Sequence, residues 1–289
     1  MQIWFNGLCS GATIALLAVA FSIVFIPTGV FFIALAGIYV VSAYIALQLL
    51  RWGVPWYIAS LCAVASGILI SLLCDYFNHQ PLMKRKSSGG AHMISSLGIY
   101  MVLVELVALI WGNEPQVLRS GIGEVVRWKN LTMAYSQITI LVVSGVFLTM
   151  FMLWVNRSGL GLKFRALSDN PVQLALLGYN TDHLRLLAFG ISGAMGAVAG
   201  LLNAYDLGFD PHTGMSAVML AIVATIIGGR NSFIGPIMGG ILLGFIRSQV
   251  VWHTSARWQD AVTFLILAVF LFCRPSGLSG GKGRVEAQP

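Results

Sequence analysis

Apolar runs about as long as a bilayer is thick follow one another along most of the chain, and this leaves few folds open. A membrane-spanning helix needs about 20 consecutive apolar residues. Such runs lie at about 3–26, 30–50, 54–75, 94–112, 134–155, 184–204, 216–229, 233–252 and 259–273. The expected fold is therefore all-α, a polytopic transmembrane helical bundle with about 8–9 membrane segments. One region is ambiguous. The 216–229 run is short, and "IIGGRNSFIGP" separates it from the next. A short, broken or re-entrant pair near 216–252 is one solution, tolerated only where protein or a water-filled cavity covers the non-helical backbone.

Charged residues make up 9% of the chain, against roughly a quarter in a soluble domain. The formal net charge of +7 suits loops facing an anionic cytoplasmic leaflet. No basic stripe interleaved with aromatics appears, so no nucleic-acid partner is expected. Cys9, Cys62, Cys74 and Cys273 lie inside or at the ends of apolar runs without CxxC spacing. They read as small apolar residues rather than metal ligands or disulfides. The first run lacks a basic leader and a small-residue cleavage site, so it reads as a span and not a cleaved signal. Gly193, Gly196 and Gly200, and Gly235, Gly239, Gly240 and Gly244, recur at spacings that let helix backbones approach closely.

Basic residues set the expected orientation. Placing Lys84–Lys86 and the Arg157/Lys163/Arg165 loop in the cytoplasm puts the N-terminus outside and the C-terminus inside. The inside then holds Lys84, Arg85, Lys86, Arg157, Lys163, Arg165, Arg185, Arg230, Arg274, Lys282 and Arg284. The outside holds Arg51, Arg119, Arg127, Lys129, Arg247 and Arg257, a split of 11 to 6 among the 17 basic residues. An odd number of spans, nine, agrees with termini on opposite sides. Two outside segments, about 113–133 and 205–215, mix charges with turn formers. They are either docking surfaces or plain connections.

One cytoplasmic stretch breaks the apolar monotony: "ALSDNPVQLALLGYN", Ala166–Asn180. Asn170 suits an N-cap, Pro171 the first helical position and Gly178 the C′ position. Val172, Leu174, Ala175, Leu176 and Leu177 supply apolar surface. A helix of about two turns is not stable alone, so either lipid or a cytoplasmic partner must cover it.

Several activities are excluded or weakened. The nearest P-loop candidate, "SGLSGGKGR", has Ser276 in place of the first Gly and Gly283 in place of Ser/Thr, so any ATP hydrolysis belongs to another subunit. A self-sufficient ion-coupled carrier would want ionisable groups at mid-membrane; only Glu105 qualifies. The Gly190–Gly196 stretch contains a GxSG like that of rhomboid proteases, but such chemistry needs a base for Ser192, and His212 and His253 fall in loops or at span edges. No HExxH or carboxylate cluster occurs, so neither a metal nor a cofactor is expected.

Separated stretches carry a family resemblance over nearly the whole chain. These are "FNGLCSGATIALLAVAFSIVF", "SAYIA", "SSLGIYMVLVELVALIWGNEP", "FRALSDNPVQLALLGYN", "LAFGISGAMGAVAGLL", "GMSAVMLAIVATIIGGRNSFIGPIMGGILLG" and "CRPSGLSG". In order and spacing they resemble the permeases of branched-chain amino-acid-type ABC importers, on the LivH side of the LivH/LivM pair. The resemblance implies that residues 1–289 form a single permease domain of a multi-pass protein of the bacterial inner membrane. It implies a LivM-like second permease, two ATP-binding cassette ATPases and an extracytoplasmic substrate-binding protein as partners. It implies a coupling segment at about 156–183, with Ser168, Asp169, Asn170, Pro171, Leu174, Leu177 and Gly178 meeting the ATPase. Asn6, Phe32, Leu35, Glu105 and Asn203 are expected along the solute pathway. The chain departs from the family where it usually reads Asn-Phe-Ala-His-Gly-Glu: here Phe32, Leu35, Ala36 and Gly37 replace the Asn, His, Gly and Glu. The passage is then less polar at this helix, or the second permease supplies the polar contacts. The expected function is ATP-driven import of amino acids by alternating access, with urea or short amides, or an ion-coupled carrier using Glu105, as alternatives.

Overall fold

The computed structural model describes residues 2–85, 87–118, 125–128, 131–229, 232–274 and 277–278; for residues 125–128, Leu131, Pro171 and Val172 among them it describes the backbone alone. Lys86, Arg119, Lys129, Arg230, Lys282 and Arg284 of the charge assignment lie outside the described residues, as does most of "SGLSGGKGR".

Twelve α-helices are described: α1 (Gln2–Thr28), α2 (Leu35–Arg51), α3 (Trp56–Cys74), α4 (Gln80–Lys84), α5 (Gly89–Trp111), α6 (Tyr135–Arg157), α7 (Gly159–Asp169), α8 (Pro171–Leu176), α9 (Thr181–Asp206), α10 (Thr213–Gly228), α11 (Ile234–His253) and α12 (Gln259–Cys273). A π-helical turn at Asp75–His79 joins α3 to α4 in one rod, Trp56–Lys84. Seven helical segments of the described residues are long and apolar enough to cross a membrane, and α2 and α10 are shorter apolar helices. The chain is an all-α polytopic bundle. Its small β component is an antiparallel pair, β1 (Val125–Trp128) with β2 (Leu131–Ala134), in the register Val125↔Ala134 to Trp128↔Leu131.

Contacts sort the helix termini into two ends. At one, here the upper end, the Gln2 side chain bonds the Thr132 backbone, Ser248 Oγ donates to Ile3 O at 2.7 Å, and Ser136 Oγ donates to Asp206 Oδ1 at 2.5 Å. At the lower end Phe233, after α10, packs on Phe151 of α6 with ring centroids 5.9 Å apart. Leu278, after α12, donates its N–H to Ile227 O at 2.9 Å. The 216–252 region is therefore two helices, α10 and α11, running down and back up. The connection between them reaches the level of Ile26 and Val155 near the ends of α1 and α6, and α10, at 16 residues, is the short member of the pair expected there.

The core sits around α1, which is buried along most of its length and packs against α9, α10 and α11. Glycine makes the closest seam. A Cβ at Gly240 of α11 would lie 2.5 Å from the Ala15 backbone of α1, and one at Gly11 would lie 2.9 Å from Ile241 Cα. Gly200 of α9 meets the Tyr39 backbone of α2 in the same way, and Gly193 meets Gly67 of α3. Without strong hydrophobic sorting between helices in lipid, such van der Waals fit drives association.

The second span differs from its expected start at 30. Gly29, at φ +67°, ends α1, and residues 30–34 are not helical although Val30, Phe32, Ile33 and Ala34 are buried. Hydropathy cannot separate a buried apolar loop from a buried helix. Irregular backbone is tolerated there because protein covers it: Val30 N donates to Thr28 Oγ1 and Ala34 N donates to Ser96 Oγ at 2.9 Å.

Replacing Gly240 by Val should force the α1–α11 seam apart at backbone atoms and cost about 1–3 kcal/mol or more, as overpacked cores do. Gly145→Val, on an open face of α6 with nothing within 4 Å, should be close to neutral. Thermal unfolding of the two purified variants in detergent separates the cases, and equal midpoints would contradict the seam.

Candidate functional site

The lower end carries a chain of short, individually capped helices. Ser158 Oγ accepts from Gly161 N at 2.9 Å and starts α7, a helix that the apolar-run pattern does not announce. Asn170 Oδ1 accepts from Gln173 N at 3.1 Å and starts α8. Gly178, at φ +82°, ends it. There Gly178 N donates to Ala175 O at 3.0 Å and Tyr179 N to Leu174 O at 3.3 Å, the paired bonds of a Schellman stop. Asn180 Oδ1 then accepts from Asp182 N and His183 N and starts α9.

Phe164, Leu167 and Leu174 are buried and peg α7 and α8 to the bundle. Leu162, Leu176 and Leu177 face outward at 69%, 83% and 74% exposure. Lys163 Nζ stands 4.6 Å from the Tyr179 ring centre. Ser168 Oγ donates to Phe164 O, and Asp169 is exposed. Ser168 and Asp169 also border a cavity of about 400 Å³ that reaches Phe233 in the α10–α11 connection. Six of the seven coupling candidates thus have described side-chain or backbone roles in one compact segment; for Pro171 the helical backbone alone is described.

Just inside this end lies a buried polar cluster that sequence reasoning missed. Asp75, at the start of the π turn, is fully buried, and Arg185 of α9 is 2% exposed. Arg185 Nε donates to Asp75 Oδ1 at 3.0 Å and Nη2 lies 2.9 Å from the same oxygen. Gln80 Nε2 donates to Asp75 Oδ2 at 3.3 Å, and the guanidinium also touches Met83 Sδ. Nearby, His79 and His92 stack, with their Nδ1 atoms 3.2 Å apart. One ring must donate Nδ1–H and the other accept it. Phe32 packs edge-on against both His79 and Phe189 of α9. The cluster therefore ties α3, α4, α5, α9 and the irregular 29–34 segment together. Glu105 stays the mid-span candidate; Asp75 and Arg185 lie near the ends of their apolar runs and read from the sequence as interfacial charges. Their signal was opposite charge at run ends assigned to the same side.

At the upper end Gln116 and Phe209 form a two-way backbone bridge at 2.8 Å, and Arg51 Nη2 donates to Gln116 Oε1 at 2.8 Å. The two loops singled out in the sequence, about 113–133 and 205–215, thus meet. The five pathway candidates are not brought together. Asn6 Oδ1 accepts from Gln137 Nε2 near the top of α6, and Asn203 Nδ2 donates to Gly208 O at the end of α9. Phe32 and Leu35 are buried within the subunit, Leu35 against Gly196. Glu105 is exposed on α5. Ser192 is buried and its Oγ has no hydrogen bond among the described residues, so neither His212 nor His253 serves it as a base. Among the described residues no group of three or more His, Cys, Asp or Glu could hold a metal ion.

Residues 3–271 match the family described as branched-chain amino acid transport system / permease component. The chain is 28% identical to the high-affinity branched-chain amino acid transport system permease protein LivH of Escherichia coli K12, over 97% of this chain and 95% of that protein. It is 30% identical to the permease protein BraD of Pseudomonas aeruginosa, over 95% and 94% respectively. Among solved structures it is similar to a chain of PsaBC from Streptococcus pneumoniae in complex with Fab, with a TM-score of 0.55, 13% identity and coverage of 96% and 93%. That likeness concerns the fold alone.

Removing one member of the Asp75–Arg185 pair leaves an uncompensated buried charge, which costs about 3–5 kcal/mol, whereas replacing both by apolar side chains can be neutral. Arg185→Met alone should lower the unfolding midpoint of the purified chain sharply, and Asp75→Leu with Arg185→Met should recover most of the loss. Additive losses in the double variant would argue against a direct pair.

Proposed function

The chain belongs to the branched-chain amino acid transport system permease family, and from that premise we propose that it is the membrane permease subunit of an ATP-driven importer of branched-chain or other hydrophobic amino acids. The observation that carries this reading is α8: capped at both ends, pegged inward by Leu174, and presenting Leu176 and Leu177 outward at the lower end. Exposed apolar side chains on a rigid, short helix suit a groove on a partner better than solvent. This chain holds no recognisable ATP site, so the partner is the subunit that hydrolyses ATP.

In this reading the lower end faces the cytoplasm. Lys84, Arg85, Arg157, Lys163, Arg165, Arg185 and Arg274 of the described residues belong to it, against Arg51, Arg127, Arg247 and Arg257 at the upper end, and basic residues favour the cytoplasmic side of an inner membrane. The upper end, where the two loops meet at Gln116 and Phe209, receives an extracytoplasmic binding protein. A second, LivM-like permease completes the passage, and the subunit itself catalyses no reaction. The relatives favour neither urea-type solutes nor an ion-coupled carrier.

Alternating access then has a mechanical route. Nucleotide-driven motion of the ATPases displaces α7 and α8. The short 177–180 connection passes this to the start of α9, where Arg185 is bonded to the π turn of the α3–α4 rod. The stacked His79 and His92 carry it to α5, and Phe32 carries it to the 29–34 segment. The two states differ in how this tied unit sits against the rest of the bundle, and binding energy biases them. Asn6, Phe32, Leu35, Glu105 and Asn203 remain the candidates for the solute route.

Leu177→Asp places a charge on the docking face without touching the core. A buried leucine contributes about 1.5–3 kcal/mol, so retention of the ATPase subunits in a detergent pull-down should fall about tenfold or more while the unfolding midpoint stays constant. Normal ATPase retention would count against α8 as the docking element.

A further inference from the structure

Of the ten acidic residues, Glu124 and Glu286 lie outside the described residues. Asp75 and Asp260 are in ion pairs. Glu114, Asp169, Asp182, Asp206 and Asp210 sit at helix ends or in connections. Glu105 remains. It lies in the body of α5, six residues before Trp111, which is roughly 9 Å along the axis from the helix end and about 24 Å from its start at Gly89. No ion pair or hydrogen bond of its side chain is made among the described residues.

Its direction matters as much as its depth. α5 packs on α2 and on the π turn, and its His92, Ser96, Tyr100, Val104 and Val107 are buried. At about 100° per residue, Ile94, Gly98, Met101 and Glu105 fall within about 60° of one another on the opposite side, and all four are exposed. Glu105 is thus central to the face turned away from the bundle. Set into lipid, a carboxylate roughly 9 Å inside the helix end would still be unfavourable. Intramembrane ionisable groups face protein or a water-filled cavity instead. Gly98, two turns below, has nothing within 4 Å of its Cβ position, so no described side chain of this subunit covers the face there.

We propose that the uncovered α5 face around Glu105 lines the aqueous solute passage, and that the Glu105 carboxylate is the counter-ion for the ammonium group of an amino acid crossing it. This rests on the importer reading above. An amino acid in transit has lost part of its hydration, and its ammonium needs an anionic acceptor; charge-assisted hydrogen bonds are the strong ones. One acceptor without a resident cation is suited to release as well as to binding, because no internal salt bridge must be broken and re-formed in each cycle. The aliphatic side chain of the solute would meet Met101, Val102 and Leu109, exposed on the same helix.

The test uses the assembled transporter in membrane vesicles, with Cys62→Ser and Cys273→Ser removing the exposed thiols. Glu105→Cys in that background should react with a water-soluble, membrane-impermeant thiol reagent, and more slowly when binding protein and leucine are present during ATP turnover. In parallel, Glu105→Gln should lower leucine uptake about tenfold or more, the loss of a charged hydrogen bond of roughly 1.5–3 kcal/mol. Glu105→Asp should retain most of the uptake, and ATPase retention should be unchanged in both. An unreactive thiol in Glu105→Cys with lost uptake in Glu105→Gln would overturn the proposal in favour of a basic side chain on a partner helix. An unreactive thiol with normal uptake would assign the face to lipid or to a neutral contact, and a reactive thiol with normal uptake in Glu105→Gln would remove the ammonium role. Absence of leucine uptake by the unaltered transporter would instead sink the importer reading itself.

Discussion

Everything in this bundle depends on how closely α1 can be approached. Lipid tails are as apolar as leucine, so burying an apolar helix among others gains little by hydrophobicity alone. The gain comes from fit, and fit at α1 is backbone against backbone. Gly240 and Gly244 of α11 lie against Ala15 and Gly11, and Thr225 of α10 donates its hydroxyl to Ala18 O at 3.3 Å. Burial falls off with distance from that seam: 78% of the apolar window of α1 is buried but only 6% of that of α12. The peripheral helices are held on one side, and their other sides are free for lipid or for partners.

Around this rigid centre the two ends of the molecule are built differently. The upper end is joined by hydrogen bonds between loops and helix tips, among them the Gln116–Phe209 bridge and the Arg247–Asp260 pair at 2.8 Å. The lower end is joined by a buried polar cluster and by short capped helices. Apolar contacts can slide by small amounts at low cost. A buried ion pair cannot, because separating Asp75 from Arg185 within protein leaves two unsatisfied charges. The α9 start and the α3–α4 rod are therefore expected to move together, and the π turn, a common feature of functional sites, is the place where the rod can flex. A displacement of the α9 start would then reach the rod rather than be absorbed by sliding contacts.

The all-α architecture and the span positions were legible because run length and polarity report directly on a lipid environment. The α8 helix was equally legible: Asn170, Pro171 and Gly178 each have one strong local preference, and the structure uses all three. The start of α2 was not, because residues 30–34 are as apolar as a helix and are buried by protein. Nor was α7, whose Ser158 cap is a single residue amid glycines. The Asp75–Arg185 pair joins positions 110 residues apart, and no local pattern encodes such a contact. Glu105 stood out in the sequence by composition, but its outward direction is a property of how α5 packs on α2.

That outward direction bears on what kind of object the chain is. In a membrane protein, ionisable groups within the spans face protein or a water-filled cavity. This one pairs Asp75 and Arg185 inside, brings Arg247 to Asp260 at the upper end, and leaves a carboxylate on its outer face. The inner pair has the character of a structural tie, because it is satisfied within the subunit. The outer carboxylate has the character of an unfinished site, because nothing among the described residues answers its charge. A second membrane subunit placed against α5 would enclose the space in front of Glu105. The passage would then run along an interface, where relative motion of two rigid bodies can open it alternately at either end. A path through the centre of this bundle would have to part the glycine seam at α1, which is the tightest packing the chain possesses.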